Sequence, residues 1–499
     1  MKNILFASLL LPCLGTAIPA LGQEPASRPG QKPNFVVVLV DDLGWADLGC
    51  YGSVFHETPR LDTMAKEGMK FTNAYAACAV CSPTRAALQT GLNPARIGIT
   101  DWIRGKFQGG IIPPDGKNPT EYVGDSNRKL LCPPNKLFLE TEYLTIAEHL
   151  KTAGYTTCHI GKWHLGQENA RPTDQGYDIN IAGCDLGQPP SYFDPYESQR
   201  PDYVIPESIF PRRQQGEYLT DREADEAVRF IRENKEKPFF LHLAHYAVHT
   251  PLQAKESLVK KYKDKLARLQ ADGIATEQKN AVYAAMLESV DDAVGQVLDI
   301  LVAEGLARNT YVIFTSDNGG LLGSTSNAPL RSGKGYPYEG GIRVPFIVWA
   351  PGQVQANTQS DLPTITCDIF PTICDWGGMA LPAEVPLDGL SIRTITNSST
   401  AASNVQSLKQ RPLVWHFPHY RDTTLPITPY SIVRQGDWKL IHYYDENKSE
   451  LYNLALDPYE TRDISKTETV QADRLRKVLD EQLDKFDAKR VKPNLRQLR

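Results

Sequence analysis

The sequence predicts an α/β sandwich around a central mixed, mainly parallel sheet, followed by a smaller α+β subdomain. Apolar runs rich in β-branched residues, such as Asn34-Phe-Val-Val-Val-Leu-Val40, lack the alternation of half-buried strands. Strands of that kind are buried on both faces, as in parallel sheets. They alternate with segments of helical periodicity, the order of an α/β domain. Past residue 410 the alternation gives way to closely spaced short strands and one helix. At 499 residues the chain is too long for one small core, which fits a large domain and a lesser one.

Residues 1–22 have the layout of a signal peptide: Lys2, an apolar stretch over 4–11, and Ala20-Leu21-Gly22 before Gln23. Pro12, Gly15 and Pro19 interrupt this run, which is short for a membrane span, and no later segment is long and apolar enough to be one. Cys13 would suit lipid attachment, but Pro12 before it fits a lipoprotein cleavage site poorly. Residues 23–32, rich in Pro, Gly and polar side chains, read as a leader. The large domain is expected over 33–395, a Ser/Thr/Asn/Ala-rich linker or surface loop over 396–410, and the small subdomain over 411–499.

Within the large domain the first strand, 34–40, ends abruptly at Asp41-Asp42. Thr145 and Glu148 form a capping box before a helix over 146–151, Gly154 stops it, and 155–160 is the next strand. Thr220 with Glu223 opens a helix carrying Ala224, Ala227, Val228 and Ile231, and a strand follows at 239–244. Met286, Val290, Ala293, Val297 and Ile300 repeat at helical spacing up to Gly305. Strands follow at 311–315 and 344–349. In the subdomain, 430–434, 438–443 and 451–454 are strand candidates and 470–486 a helix.

Charged residues are 23% and hydrophobic residues 41%, ordinary for a globular protein. The net charge of −5 gives no global positive field for nucleic acid, so an anionic substrate needs a local basic pocket. Nine cysteines are present, eight after removal of the leader peptide. Export would permit disulfides, but their pairing does not follow from sequence. Cys367 and Cys374 are a candidate pair or two buried thiols.

Ligands of α/β sheets sit at the carboxyl ends of strands. Asp41-Asp42 follows one strand, Asp317-Asn318 another, and His249 lies just past a third. Adjacent carboxylates repel unless a cation separates them, and three carboxylates with one amide are oxygen donors suited to Ca²⁺ or Mg²⁺ rather than zinc. The plainer reading is helix caps and turns, since Asp-Asn-Gly is a common turn sequence. Cys81, four residues before Arg85, is either an inert thiol or one whose pKa the guanidinium lowers.

Cys81-Ser82-Pro83-Thr84-Arg85 followed by Leu88-Gln89-Thr90-Gly91 resembles the signature of the formylglycine-dependent sulfatases, Cys-x-Pro-x-Arg. Further resemblances follow in the family's order. They are Asp41-Asp42-Leu43-Gly44; Gly154-Tyr-Thr-Thr with Gly161-Lys162-Trp163-His164-Leu165-Gly166; and His245-Tyr-Ala-Val-His249-Thr-Pro251. Next come Ser316-Asp317-Asn318-Gly319-Gly320 and Lys334-Gly335 with Tyr338-Glu339-Gly340-Gly341-Ile342-Arg343-Val344-Pro345. Glu450-Leu451-Tyr452-Asn453-Leu454 with Asp457-Pro458 and Glu460 completes the series, which spans about residues 33 to 465.

The resemblance implies an alkaline-phosphatase-like domain with a smaller C-terminal one. It implies that a separate maturation enzyme oxidises Cys81 to formylglycine, whose hydrate attacks sulfur. It further implies calcium (magnesium fits less well) held by Asp41, Asp42, Asp317 and Asn318. Asp317 is also a candidate to take the nucleophile's proton. Arg85 would hold the formylglycine, Lys162, Lys334 and His249 the sulfate, with His249 or Lys334 protonating the leaving alcohol. His164 would assist expulsion of sulfate. Each has a plainer reading: Lys162 and Lys334 as surface lysines, His245 as structural, Trp163 as packing, Arg331 and Arg343 as ion-pair partners.

For substrate, export and composition point to a sulfated carbohydrate, with a galactose-type 4-sulfate as the specific expectation. Asp101, Trp102 and Arg104, just after the signature, and His416 and His419, near the domain junction, are candidates to meet the sugar. The location expected is secreted or periplasmic, with no membrane span and no nucleic-acid partner. The rival readings are a phosphonate monoester or phosphodiester hydrolase on the same fold, an inactive glycan-binding relative, and a thiol hydrolase using unmodified Cys81. Asn397 and Asn447 lie in Asn-x-Ser sequons.

Overall fold

The structure is a computed structural model and describes residues 31–103, 116–124, 127–167, 169–200, 203–396, 402–422 and 426–495. The signal-peptide and lipidation readings at 1–22, most of the leader, and Arg104 and Asn397 lie outside the described residues.

The unbroken apolar run Asn34–Val40 becomes a strand with all seven residues buried. Phe35, Val37 and Leu39 enter one apolar layer; Val36, Val38 and Val40 enter the other. A strand that feeds two cores must lie in the interior of a sheet covered on both sides. It does: the eight-stranded sheet runs, edge to edge, Thr358–Ser360, Met69–Phe71, Phe346–Trp349, Thr310–Ser316, Asn34–Val40, Phe239–Ala244, Thr156–Gly161 and Ile179–Ile181. All neighbours are parallel except at Phe346–Trp349, which runs against both its partners. The sheet is therefore mixed and mainly parallel.

Helices Pro59–Glu67, Leu219–Glu233 and Ala281–Ala303 cover one face through Leu61, Met64, Phe230, Ile231, Val290 and Val297. Helices Cys81–Thr90, Ile146–Thr152 and Ile369–Trp376 cover the other through Leu88, Leu150, Phe370 and Ile373. The capping box at Thr145 and Glu148 is present in full. Thr220 and Glu223, expected to open the next helix, form no such box. That helix begins at Leu219, with Tyr218 at its cap, because Leu219 N–H donates to Tyr192 in the preceding loop. Glu223 turns inward instead and bonds His245 Nδ1 at 2.6 Å.

The C-terminal subdomain is an antiparallel sheet of Leu413–Phe417, Tyr430–Gln435, Trp438–Tyr443 and Lys448–Asn453. Its alternation separates two contacts. Val433, Leu440 and Leu451 pack under Leu475, Leu479 and Leu483 of helix Thr469–Lys485. Trp415, Tyr430, Ile432, Ile441 and Tyr452 pack against Tyr75, Ala77, Cys78, Ala79 and Val80 of the large domain. Trp415 Nε1 also donates to the Ala76 carbonyl at 2.7 Å. A buried charge cluster completes the junction: Lys439 Nζ reaches Glu339 Oε1 at 2.9 Å and Glu460 Oε1 at 2.7 Å.

The segment 396–410, expected as a linker or surface loop, carries a helix in its second half. Ala402–Gln410 is helical, and Leu408 is buried in the large domain's core, an apolar anchor that the surrounding polar residues mask in sequence. The eight described cysteines are all free thiols, so Cys367 and Cys374 are two buried thiols and not a pair. No helix among the described residues is long and apolar enough to cross a membrane.

Candidate active site and metal centre

The carboxyl ends of four neighbouring strands converge on one place. Asp41 and Asp42 leave Asn34–Val40; Asp317 and Asn318 leave Thr310–Ser316; Lys162 and His164 follow Thr156–Gly161; His249 follows Phe239–Ala244. Backbone bonds knit the strand ends: Asp41 N–H donates to Ala247 O at 2.9 Å and Val248 N–H to Asp41 O at 2.8 Å. Asp42 and His164 hold left-handed backbone angles, φ 61° and 56°, uncommon outside glycine though less so for Asp and His, and such angles cluster at functional sites. Helix Cys81–Thr90 points its N-terminus at the same place, so Cys81 stands where a developing negative charge is favoured.

Arg85, one turn further along, is fully enclosed. Its Nε and Nη2 donate to Asp317 Oδ2 at 2.9 and 2.7 Å, and its Nη1 to the Lys162 carbonyl at 2.8 Å. The guanidinium thus ties the Cys81 helix to two strand ends. Lys162 Nζ lies 2.5 Å from Asp41 Oδ2, and Lys334 Nζ 2.6 Å from Asp42 Oδ1. Asn318 Nδ2 donates to Asp42 Oδ1 at 2.8 Å, and Asp42 N–H to Asp317 Oδ1 at 3.2 Å. His249 Nε2 is 3.6 Å from Asp42 Oδ2, and Cys81 Sγ is 3.4 Å from His164 Nδ1.

Burial dominates the electrostatics. It pushes Asp41 up to about 8, with Asp317 adding repulsion against the pull of Lys162 and Arg85. Burial would raise Asp42 too, but Lys334 and His249, with hydrogen bonds from Lys334 and Asn318, together hold it well below the usual carboxylate range. Burial and then Lys334 press His249 down to about 3, and burial also lowers His164. The Cys81 thiol is raised by burial, against the attraction of Lys162 and Lys334.

Three acceptor oxygens here receive no hydrogen bond although they are buried: Asp41 Oδ1, Asp42 Oδ2 and Asn318 Oδ1. Buried acceptors without donors are costly, and three at the ends of two adjacent strands suit a cation. Ligand atoms of Asp41, Asp42 and His249 lie within 4.8 Å of one another. The oxygen-rich set of Asp41, Asp42, Asp317 and Asn318 fits a hard divalent ion such as calcium, with His249 close beside it.

A cavity of about 590 Å³ opens above, lined among others by Cys81, His164, His249, Lys334 and Trp102. Of the candidate sugar contacts among the described residues, Trp102 alone lines it. Asp101 Oδ1 accepts from Trp102 N–H at 2.8 Å and shapes the turn. His419 Nε2 meets Thr100 Oγ1 at 2.7 Å and fastens that turn to the subdomain. The expectation for His416 is corrected: its ring lies within strand Leu413–Phe417, with Nδ1 against Ser431 Oγ at 2.6 Å and Nε2 against the Lys489 carbonyl at 3.1 Å. Gln188, Leu321, Leu322, Tyr336, Arg421 and Ile427 also line the cavity and were not singled out from sequence. Tyr336 adjoins a motif that was, and proximity to that motif was the available signal.

Residues 33–379 match the Sulfatase family, and residues 333–489 match the family described as N-sulphoglucosamine sulphohydrolase, C-terminal. The chain belongs to the sulfatase family. It is accordingly a sulfuric ester hydrolase. A sulfatase of Formosa agariphila is 31% identical over 93% of this chain and 89% of its own length. The N-acetylgalactosamine-6-sulfatase of Rattus norvegicus is 36% identical over 77% of this chain and 68% of its own. Among solved structures, Ps i-CgsB in complex with k-i-k-neocarrahexaose has 29% identity and a TM-score of 0.71, covering 91% of this sulfatase and 93% of that chain.

Proposed function

We propose that this sulfatase removes sulfate from a sulfated carbohydrate, using formylglycine formed from Cys81 and a calcium ion at Asp41, Asp42, Asp317 and Asn318. The observation that carries the reading is the trio of unsatisfied buried oxygens beside the Cys81 helix. Bound there, calcium would draw in the sulfate oxygens and lower the pKa of a nearby hydroxyl. Formylglycine would supply, as its hydrate, the hydroxyl that attacks sulfur.

The chain's own residues have definable parts. Arg85 fixes the residue-81 helix and, through Asp317, the strand end next to it. Lys162 and Lys334 are the two cations nearest the carboxylates, and either released from its aspartate would grip a sulfate oxygen. His249 and Lys334 both reach the cavity and are the two candidates to protonate the leaving alcohol, with the low pKa of His249 favouring Lys334. His164 Nε2 meets the Ile103 carbonyl at 2.8 Å, which leaves Nδ1 as the acceptor facing residue 81. Unmodified Cys81 is a poor nucleophile, because its raised pKa keeps it a thiol; this counts against the thiol-hydrolase reading.

The relatives named as N-acetylgalactosamine-6-sulfatases support a galactose-type sugar and favour its 6-sulfate over the 4-sulfate expected from sequence. The apolar stretch at 4–11 and Ala20-Leu21-Gly22 support export to the periplasm or beyond, with maturation by a separate enzyme. The test is the mass of the tryptic peptide carrying Cys81 from protein made in its own host, joined to turnover of sulfated galactosides. A peptide that has lost H₂S and gained O, in an enzyme that releases sulfate, supports the reading. A peptide with intact cysteine in an active enzyme refutes it. Faster turnover of an aryl phosphodiester than of an aryl sulfate would favour the phosphoester rival.

A further inference from the structure

The cavity above Cys81 has an uneven charge. Among its described lining residues Lys334 and Arg421 carry the fixed positive charges, and no carboxylate lines it. Lys334 is paired with Asp42 and, on the proposed reading, serves the scissile sulfate. Arg421 is a different case. It comes from the C-terminal subdomain, just beyond strand Leu413–Phe417. Its backbone is fixed by a reciprocal pair with Ile427: Arg421 N–H to Ile427 O at 3.0 Å and Ile427 N–H to Arg421 O at 3.1 Å. Its Nη1 lies 3.2 Å from where a side-chain carbon of residue 335 would stand, and that residue is glycine, φ 89°. The guanidinium is thus set directly over the turn that delivers Lys334. Gly335 N–H in turn donates to Ala79 O at 2.8 Å, tying the turn to the segment that leads into Cys81.

Among the described residues Arg421 has no hydrogen-bond or ion-pair partner for its side chain. The other arginines of this junction are engaged: Arg331 donates to Tyr452 and the Glu460 carbonyl, Arg343 to the Thr72 carbonyl, Arg434 to Tyr75. A guanidinium held by its backbone at the wall of a cavity, with its five donors uncommitted, is a fork for a carboxylate or sulfate. The scissile sulfate has Lys162, Lys334 and the cation. The same cavity is lined by Leu321, Leu322, Tyr336 and Ile427, which suit the apolar face of a sugar ring.

We propose that Arg421 is a specificity-determining residue that binds a second anionic substituent, a sulfate ester or a uronate carboxylate, on the sugar whose sulfate is removed. The substrate class is then a carbohydrate with at least two negative charges within one or two sugar units. This rests on the carbohydrate-sulfatase reading and narrows it.

The experiment uses the full-length matured enzyme and three galactose-type disaccharides: one monosulfated and otherwise neutral, one disulfated, and one monosulfated with a uronate carboxylate. The wild type is expected to prefer one of the doubly charged disaccharides in kcat/KM by about ten- to a hundredfold, the worth of a hydrogen-bonded charge. Which one it prefers identifies the anion. Arg421→Gln is expected to abolish that preference, chiefly through KM, and Arg421→Lys to restore part of it. Equal rates of the wild type on all three would overturn the inference. So would an Arg421→Gln variant, or an Arg421→Lys variant should the first not fold, that loses the same factor on all three substrates. An enzyme with converted Cys81 that releases sulfate from aryl sulfate but from none of the sugars would overturn the carbohydrate reading, and this inference with it.

Discussion

Asp41 and Asp42 are each faced by a lysine, and on the proposed reading positive charge is needed there twice: to neutralise the aspartates and to meet an incoming sulfate. A divalent ion between the aspartates would take over the first task and leave the ammonium groups to the second. Lys334→Met is therefore expected to lower kcat/KM by about 10²–10³-fold, the usual cost of one donor to a developing anion. Steady-state kinetics on an aryl sulfate will check it. Chelation should abolish sulfate release, and calcium should restore it more fully than magnesium. Because the ion binds the folded state, calcium at a hundred times its Kd should add about 2.7 kcal/mol of stability, read as a rise in melting temperature. A chelated enzyme of unchanged activity and melting temperature would contradict the metal assignment.

The residue scale is also where the sequence was most legible. Asp41, Asp42, Asp317 and Asn318 stand out as four oxygen-bearing side chains directly after two apolar strands, a pattern that caps and turns also produce, and the structure sets the two strand ends side by side, with Asp42 bonded to both Asp317 and Asn318. Arg421 was not legible. Its meaning comes from the subdomain folding back onto the turn at Gly335, a contact between positions 86 residues apart in number that no local pattern records. His416 misled for the converse reason, since a histidine among aromatics reads alike whether it faces a sugar or a neighbouring strand.

Among the elements, the strands were read to within a residue or two where they are continuous and apolar, and short edge strands such as Thr358–Ser360 went unseen. Helix starts depended on tertiary demands. Glu223 was diverted from a cap to His245, and helix Pro59–Glu67 is capped from another helix altogether. Asp291, in Ala281–Ala303, accepts from Arg60 N–H at 3.0 Å and Leu61 N–H at 2.8 Å. Burial raises Asp291 to about 7 despite those two bonds. The folded protein then keeps a proton that the unfolded chain releases near pH 4, so this group makes stability fall as pH rises from about 4 to about 7. Urea denaturation across that range should show the decline, and Asp291→Asn should flatten it. An identical slope in the variant would contradict the assignment.

At the scale of the whole molecule, the subdomain is an integral wall of the site. It contributes Arg421 and Ile427 to the cavity, and its sheet buries Lys439 between Glu339 and Glu460. Glu339 begins the short helix that follows the Lys334 turn, so the charge cluster and the cavity share a segment. Removing one partner of a buried ion cluster leaves uncompensated charge, typically worth about 3–5 kcal/mol. Lys439→Met is expected to destabilise the protein by that amount and to lower sulfatase activity in the surviving folded fraction. A variant as stable as the wild type would show that the cluster contributes little to the junction.

Cys81 is only 3% exposed, at the floor of a cavity walled by both domains. A sugar's sulfate can descend to it; the active site of another enzyme cannot. Any conversion of this side chain by a second protein must then happen while the chain is still open, before the sheet and subdomain close over it. If residue 81 is converted as proposed, the finished fold sets an order of events in biosynthesis, with conversion first and closure second.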